Sequence, residues 1–166
     1  MKIFAYGSNM HHNRLKNRVP SKVKVSNGYI LGYKLHCTKS STDGSGKATV
    51  VKTNNVNDKV WGVIFEIDEN EKLQLDRAEG LNYGYIESQI EVNSIEEIHE
   101  TQIYVAEENY INQDLIPYEW YKSFIVDGAK QNGLPQDYIE ELETLESRKD
   151  SNDERKERAD KILRGE

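Results

Sequence analysis

The residue types that carry most covalent and metal chemistry are few in this chain and are not arranged for it. Cys37 is the only cysteine, so it forms no internal disulfide. Apart from the adjacent His36 it has no histidine at a spacing suited to metal binding or thiolate activation, and a buried strand position is expected for it. His11 and His12 are neighbours, which on a helix point about 100° apart and cannot both face one ion unaided; solvent exposure or local capping is expected of them. No Gly-x-Ser-x-Gly elbow, Gly-x4-Gly-Lys-Ser/Thr phosphate loop or His-Glu-x-x-His zinc helix occurs. One loop does have the composition for anion recognition. Gly7-Ser8-Asn9 follows the apolar run Ile3-Phe4-Ala5-Tyr6 and opens onto a helical segment, where main-chain N–H groups suit a carboxylate or a developing oxyanion. The same residues also suit a plain helix cap, with Ser8 or Asn9 as N-cap.

The elements that would position these groups are readable from periodicity and turn residues. Residues 2–6 form a short buried strand, residues 10–17 a short helix, and Pro20 closes that segment. Strands follow at 23–25 and 29–35, and Thr42-Asp43-Gly44-Ser45-Gly46 is expected to be a mobile loop. Residues 48–51 and 60–67, separated by the turn-like Asn54-Asn55-Val56-Asn57-Asp58, are expected to pair as a hairpin. Asp68 with Glu71 resembles a capping box, and the helix it starts ends at Gly80, which places Glu79 at a helix C-terminus. Strands at 85–92 and 101–106 flank an acidic turn. Trp120, Phe124 and Ile125 share a helical face, Gly133-Leu134-Pro135 breaks it, and Tyr138, Leu142 and Leu145 carry a second helix. From Arg148 onward the chain is almost wholly charged, with Glu154/Arg158 and Glu157/Lys161 at i,i+4 spacing, so a solvated terminal helix or tail over 148–166 follows a single domain over 1–147.

The 166 residues suit one domain. Hydrophobic residues are 36% and charged residues 31%, with mean hydropathy −0.81, a profile of globular rather than disordered chains. The net charge of −7 is spread without a basic stripe, which argues against nucleic-acid binding. No apolar run approaches bilayer length, and no signal-peptide core follows Met1-Lys2, so a cytoplasmic, membrane-free protein is expected.

Three stretches, in this order, resemble the gamma-glutamylcyclotransferase family: Phe4-Ala5-Tyr6-Gly7-Ser8-Asn9, Leu75-Asp76-Arg77-Ala78-Glu79-Gly80 and Gly128-Ala129-Lys130-Gln131-Asn132-Gly133-Leu134-Pro135, with Val60-Trp61-Gly62-Val63 ahead of the second. The resemblance spans residues 4–138 and implies an α+β fold, a small, mostly antiparallel barrel-like sheet flanked by helices. It implies a gamma-glutamyl small molecule as substrate and no cofactor or metal, and it is compatible with a homodimer. By the same resemblance Phe4, Ala5, Tyr6, Gly7, Ser8 and Asn9 cradle the gamma-glutamyl group, Glu79 is the catalytic acid/base and Tyr121 contacts substrate. Beyond Gly80 the family carries an aromatic residue, and Tyr83 and Tyr85 both stand ready for that place. A gamma-glutamyl compound holds its own nucleophile, the α-amine, and its electrophile, the gamma-carbonyl; folding one onto the other captures up to roughly 7–11 kcal/mol of proximity. What remains is proton transfer, for which burial and the negative helix end would prepare Glu79 by favouring its neutral form. The leaving group stays open among amino acids, amines and natural-product amines, and a non-catalytic binding module of the same fold is the rival reading.

Overall fold

Strand β1 (Lys2–Ala5) leads through a 3₁₀ turn (Ser8–Met10) into helix α1 (His12–Arg18). The strands β2 (Val23–Leu31), β3 (Tyr33–Ser40), β4 (Gly46–Lys52) and β5 (Lys59–Glu66) come next, then helix α2 (Lys72–Glu79). After β6 (Tyr85–Asn93) and β7 (Ile98–Ala106) the chain ends in α3 (Glu119–Asn132), α4 (Gln136–Glu143) and α5 (Asp153–Arg164). This computed structural model describes residues 1–166.

Five strands close into a barrel in the order β1-β5-β2-β6-β7, with a parallel contact between β7 and β1 and every other pair antiparallel. Closure leaves no long barrel edge unpaired, which is how a small sheet avoids presenting a free row of N–H and C=O groups. β5 is central, between β1 and β2, so Val60, Val63, Ile64 and Phe65 are all buried where an edge strand would alternate. The expected α+β class with a mostly antiparallel, barrel-like sheet and flanking helices is what the chain forms. No helix is long and apolar enough to cross a membrane.

The expected hairpin between residues 48–51 and 60–67 does not form. β4 pairs with β3 (Leu35↔Val50), whereas β5 pairs with β2 (Tyr29↔Trp61). β2 and β3 run end to end through Gly32, which donates to Asp58 O and accepts from Thr53 N–H. β4 and β5 therefore lie in series along one long arm and run the same way, so no antiparallel pairing between them is open. The β3–β4 pair stands as a separate two-stranded sheet.

Several local expectations change in the same manner. Asp68 does cap, accepting from Asn70 N–H at 2.8 Å, but Glu71 does not close the box; it accepts from Ser21 N–H and Oγ instead, and Ser21 Oγ accepts from Asp68 N–H. The loop at 42–46 is tied down: Ser45 is fully buried, Asp43 accepts from Ser45 and Lys47, and its carbonyl accepts from Tyr118 Oη. Cys37 is buried in β3, as expected, but His11 is buried too and packs edge-on against Phe124, while His12 is exposed.

Residues 153–164 are helical, yet the predicted pairs Glu154/Arg158 and Glu157/Lys161 do not form ion pairs. Arg164 takes Glu157 and Glu166, and α5 docks on α1 and α3. Ala159 is buried, and Asn13 Nδ2 donates to Ile162 O. The anchor lies just ahead of α5, where the buried Asp150 carboxylate accepts two bonds from Arg155 and one from Trp120 Nε1. The Arg155 guanidinium holds Asp150 well below the usual carboxylate range against the opposing pull of burial. A depressed folded-state value adds stability above the unfolded pKa, near 4, that is lost as pH falls through the folded value. Asp150→Asn is accordingly expected to lower Tm at pH 7. The gap to wild type should begin to narrow only as pH falls below about 4 and close only as pH falls through the depressed folded-state value, which thermal denaturation across pH checks.

Candidate active site

β1 delivers Phe4, Ala5 and Tyr6 to the interior, all buried, because three consecutive core positions suit a strand paired on both edges. The chain then leaves the sheet at Gly7. Its 3₁₀ turn is closed by Met10 N–H to Gly7 O and His11 N–H to Ser8 O, which leaves the N–H groups of Gly7, Ser8 and Asn9 donating to no protein acceptor. A small cleft of about 40 Å³ opens over this turn. It is lined by Phe4, Ala5, Tyr6, Gly7, Ser8 and Asn9, and from elsewhere in the chain by Ala48, Glu79, Tyr85, Tyr104 and Tyr121. All eight residues named from the sequence therefore stand in one cleft.

The turn is held from behind by α3. A Cβ at Gly128 would lie 2.6 Å from His11 N and 2.7 Å from Met10 C, so only glycine lets the helix approach this closely. One turn on, Asn132 Nδ2 donates to Met10 O, and Gln131 accepts from His12 N–H and contacts His11 Nε2 at 3.1 Å. The motif around Gly128 thus acts on the cleft through the loop, with Tyr121, seven residues earlier, lining the cleft itself.

Glu79 is the last residue of α2, whose exit Gly80 makes in the left-handed region at φ 71°. Tyr104 Oη and Lys72 both bind Asp76, and Lys72 also pairs with Glu87 at 2.9 Å, which fixes α2 against β6 and β7. The Glu79 side chain is 15% exposed and makes an ion pair with Arg18; Asn9 Nδ2 donates to the same oxygen, Oε1, at 2.7 Å. Arg18 also donates to Asn9 Oδ1 at 2.7 Å. The expectation of a carboxyl made neutral by burial and helix polarity overlooked this guanidinium. Two donors converge on Oε1, so that oxygen acts as an acceptor for both Arg18 and Asn9.

Four tyrosines line the cleft; Tyr104 Oη donates to Asp76, and the hydrogens of the other three are spent differently. Tyr6 Oη donates to Tyr104 O and Tyr85 Oη to Ala48 O, whereas Tyr121 Oη only accepts, from Ala48 N–H at 3.1 Å. Burial pushes the Tyr121 phenol up to about 12, so it stays protonated with its O–H free to donate into the cleft. Beyond Gly80, Tyr85 is buried in the cleft wall and Tyr83 is 79% exposed. Tyr118 lies outside the lining and binds the 42–46 loop.

Sequence reasoning missed Arg14 and Arg18. Arg14 Nε donates to Ser8 Oγ, its guanidinium lies over Phe124 at 4.6 Å, and burial draws it down to about 10. Their signal was present: two arginines four apart on the helix that follows the loop share one face.

The profile of the AIG2-like family matches residues 59–142. Gamma-glutamylcyclotransferases from Bos taurus and Mus musculus are 33% and 34% identical over 149 residues, covering 86% of this chain and 77% of each relative. The chain belongs to the gamma-glutamylcyclotransferase family. A solved gamma-glutamyl cyclotransferase superposes with a TM-score of 0.82 at 28% identity, covering 92% of this chain and 91% of its own. Glu79, Tyr85 and Tyr121 fall within the profile-matched segment, and the loop at Gly7 lies ahead of it.

Proposed function

We propose that the chain cyclises a gamma-glutamyl compound to 5-oxoproline and releases the amine, with Glu79 as acid and base. The observation that carries this reading is the meeting, in one cleft, of a hydrogen-bonded carboxylate at Glu79 and three unspent main-chain N–H groups at Gly7, Ser8 and Asn9. The α-carboxylate or the carbonyl oxygen of the substrate suits those N–H groups, which are fixed by the fold and need no reorganisation as charge develops. Phe4, Ala5 and Tyr6 wall the glutamyl chain, and Tyr121 donates its free O–H to it.

Glu79 removes a proton from the α-ammonium, and the freed nitrogen attacks the gamma-carbonyl carbon. As the tetrahedral intermediate collapses, the gamma C–N bond breaks, Glu79 returns the proton to the departing amine and then takes the second hydrogen from the ring nitrogen, which leaves the neutral lactam, and the released amine carries that proton away as an ammonium. No protein nucleophile is needed. Cys37, the cysteine near these phenols, is buried, and burial pushes its thiol up to about 12, away from the reactive thiolate. Cys37→Ala should therefore keep wild-type kcat, and trapping of a thioester would contradict that. No three His, Cys, Asp or Glu side chains converge to hold a metal, so activity is expected to survive chelation.

The test is release of 5-oxoproline from a panel of gamma-glutamyl dipeptides and amines. A protein that is stabilised by 5-oxoproline yet turns over none of them would be a binding module instead. Tyr121→Phe should cost about ten-fold in kcat/KM by removing one neutral donor, and some stability by leaving the buried Ala48 N–H unpaired. Steady-state kinetics and a thermal melt of the same sample separate the two effects. The cytoplasm remains the compartment we assign, supported by a single buried, free cysteine.

A further inference from the structure

The turn that carries the unspent N–H groups is braced from behind through one imidazole. His11 N–H closes the turn on Ser8 O, and the His11 side chain, 1% exposed, packs edge-on against Phe124 of α3. A backbone N–H can only donate, so the bond from His12 N–H at 2.9 Å fixes which end of the Gln131 amide is the oxygen. The NH₂ end then faces His11 Nε2 at 3.1 Å, and it too can only donate. Nε2 therefore accepts, and the ring is neutral with its hydrogen on Nδ1, a buried atom with no partner. Charging the ring would set an N–H against the NH₂ of Gln131 and leave a cation buried without an acceptor. Burial draws His11 below its ordinary 6.5; Asp127 of α3 pulls the other way, and Arg14 and His12 of α1 add to the fall. Asp127 bonds to neither ring nitrogen. The neutral ring thus prevails at neutral pH and is lost as pH falls through the lowered value.

We propose that His11 is a positioning residue for the anion-binding turn: its neutral ring seats the turn on α3, and its protonation unseats the turn and stops turnover. The inference rests on the cyclotransferase reading above and adds a proton-sensitive support to that site. His11 does not line the cleft, so it acts through the turn. A charged ring has two ways out. Gln131 can rotate its amide, which turns the NH₂ onto His12 N–H and loses that bond. Alternatively His11 can swing outward, which strains the bond from its own N–H to Ser8 O and the grip of Asn132 on Met10 O. Either loosens the segment that carries the N–H groups of Gly7, Ser8 and Asn9, whose worth lies in being fixed before charge develops.

The experiment follows pH in two ways. In wild type, NMR should show the amides of Gly7, Ser8 and Asn9 shifting with the midpoint of the His11 ring. In His11→Gln, whose amide oxygen can accept from Gln131 without titrating, that step should vanish. On the acid side, kcat/KM of wild type should fall with one more proton than that of His11→Gln. With each protein scaled to its own value at about pH 8, this is a deficit of about ten-fold one pH unit below the His11 midpoint. Gln131→Glu, whose carboxylate accepts from His12 N–H and from a charged ring, should raise the His11 midpoint and remove the extra acid loss. Turn amides that ignore the His11 titration in wild type overturn the proposal, and that result needs no variant to fold. A folded His11→Gln with the acid profile of wild type overturns it too, since a merely structural histidine would change the rate without changing the profile. Wild type inert on every gamma-glutamyl compound is a different failure, of the cyclotransferase reading itself, and the NMR titration still decides whether His11 holds the turn.

Discussion

Glu79→Gln is expected to fold, to bind substrate with little change, and to lose about 10²–10⁴-fold in kcat, the usual contribution of a positioned acid/base. The amide keeps the size of the side chain, and its oxygen can still accept from Arg18 and Asn9. It cannot take the ammonium proton or return it to the leaving amine. Because the ion pair with Arg18 is lost, the variant also releases a partly buried guanidinium, so a thermal melt belongs beside the kinetics. Near-normal kcat in a folded Glu79→Gln would remove this residue as the base and with it the mechanism.

Gly7→Val should be nearly as damaging, by a different route. A Cβ at this position would already stand 2.9 Å from Ala48 Cβ, an atom that cannot swing away because it is fixed to the β4 backbone. Either the turn or β4 must move. The first displaces the unspent N–H groups of Gly7, Ser8 and Asn9; the second breaks the bonds from Ala48 N–H to Tyr121 and from Tyr85 to Ala48 O. A loss above roughly 100-fold in kcat/KM is expected, of the size that misplaced positioning groups produce. KM and kcat should both suffer, which steady-state kinetics on a sample of normal circular dichroism would show. A folded variant with wild-type constants would reduce the loop to a helix cap.

The site was more legible than the pairing of the strands. Phe4 to Asn9, Glu79 and Tyr121 were all named from the resemblance of short motifs to the gamma-glutamylcyclotransferase family; local geometry alone also suited a helix cap and a packed aromatic. Arg18 was not named, although four residues separate it from Arg14. Which face of α1 turns to the cleft depends on how α1 packs, and no residue within the helix states it. His11 escaped for the same reason, since its burial is made by Phe124 and Gln131, more than 110 residues away.

By itself, the amino-acid sequence determined most of the elements and their order, the family, the single Cys37 that no mechanism needs and, through the family resemblance, eight of the eleven residues that line the cleft. These depend on side-chain type and on neighbours within a few positions, where turn geometry, capping and periodicity act. The tertiary structure alone decided that β4 pairs with β3 rather than β5 and that Glu79 shares its oxygen between Arg18 and Asn9. Those outcomes follow from closure of the barrel and from the docking of α1 and α3 against one turn. Pairing and burial are set by contacts between segments distant in the chain, whose energies no local pattern of residues contains.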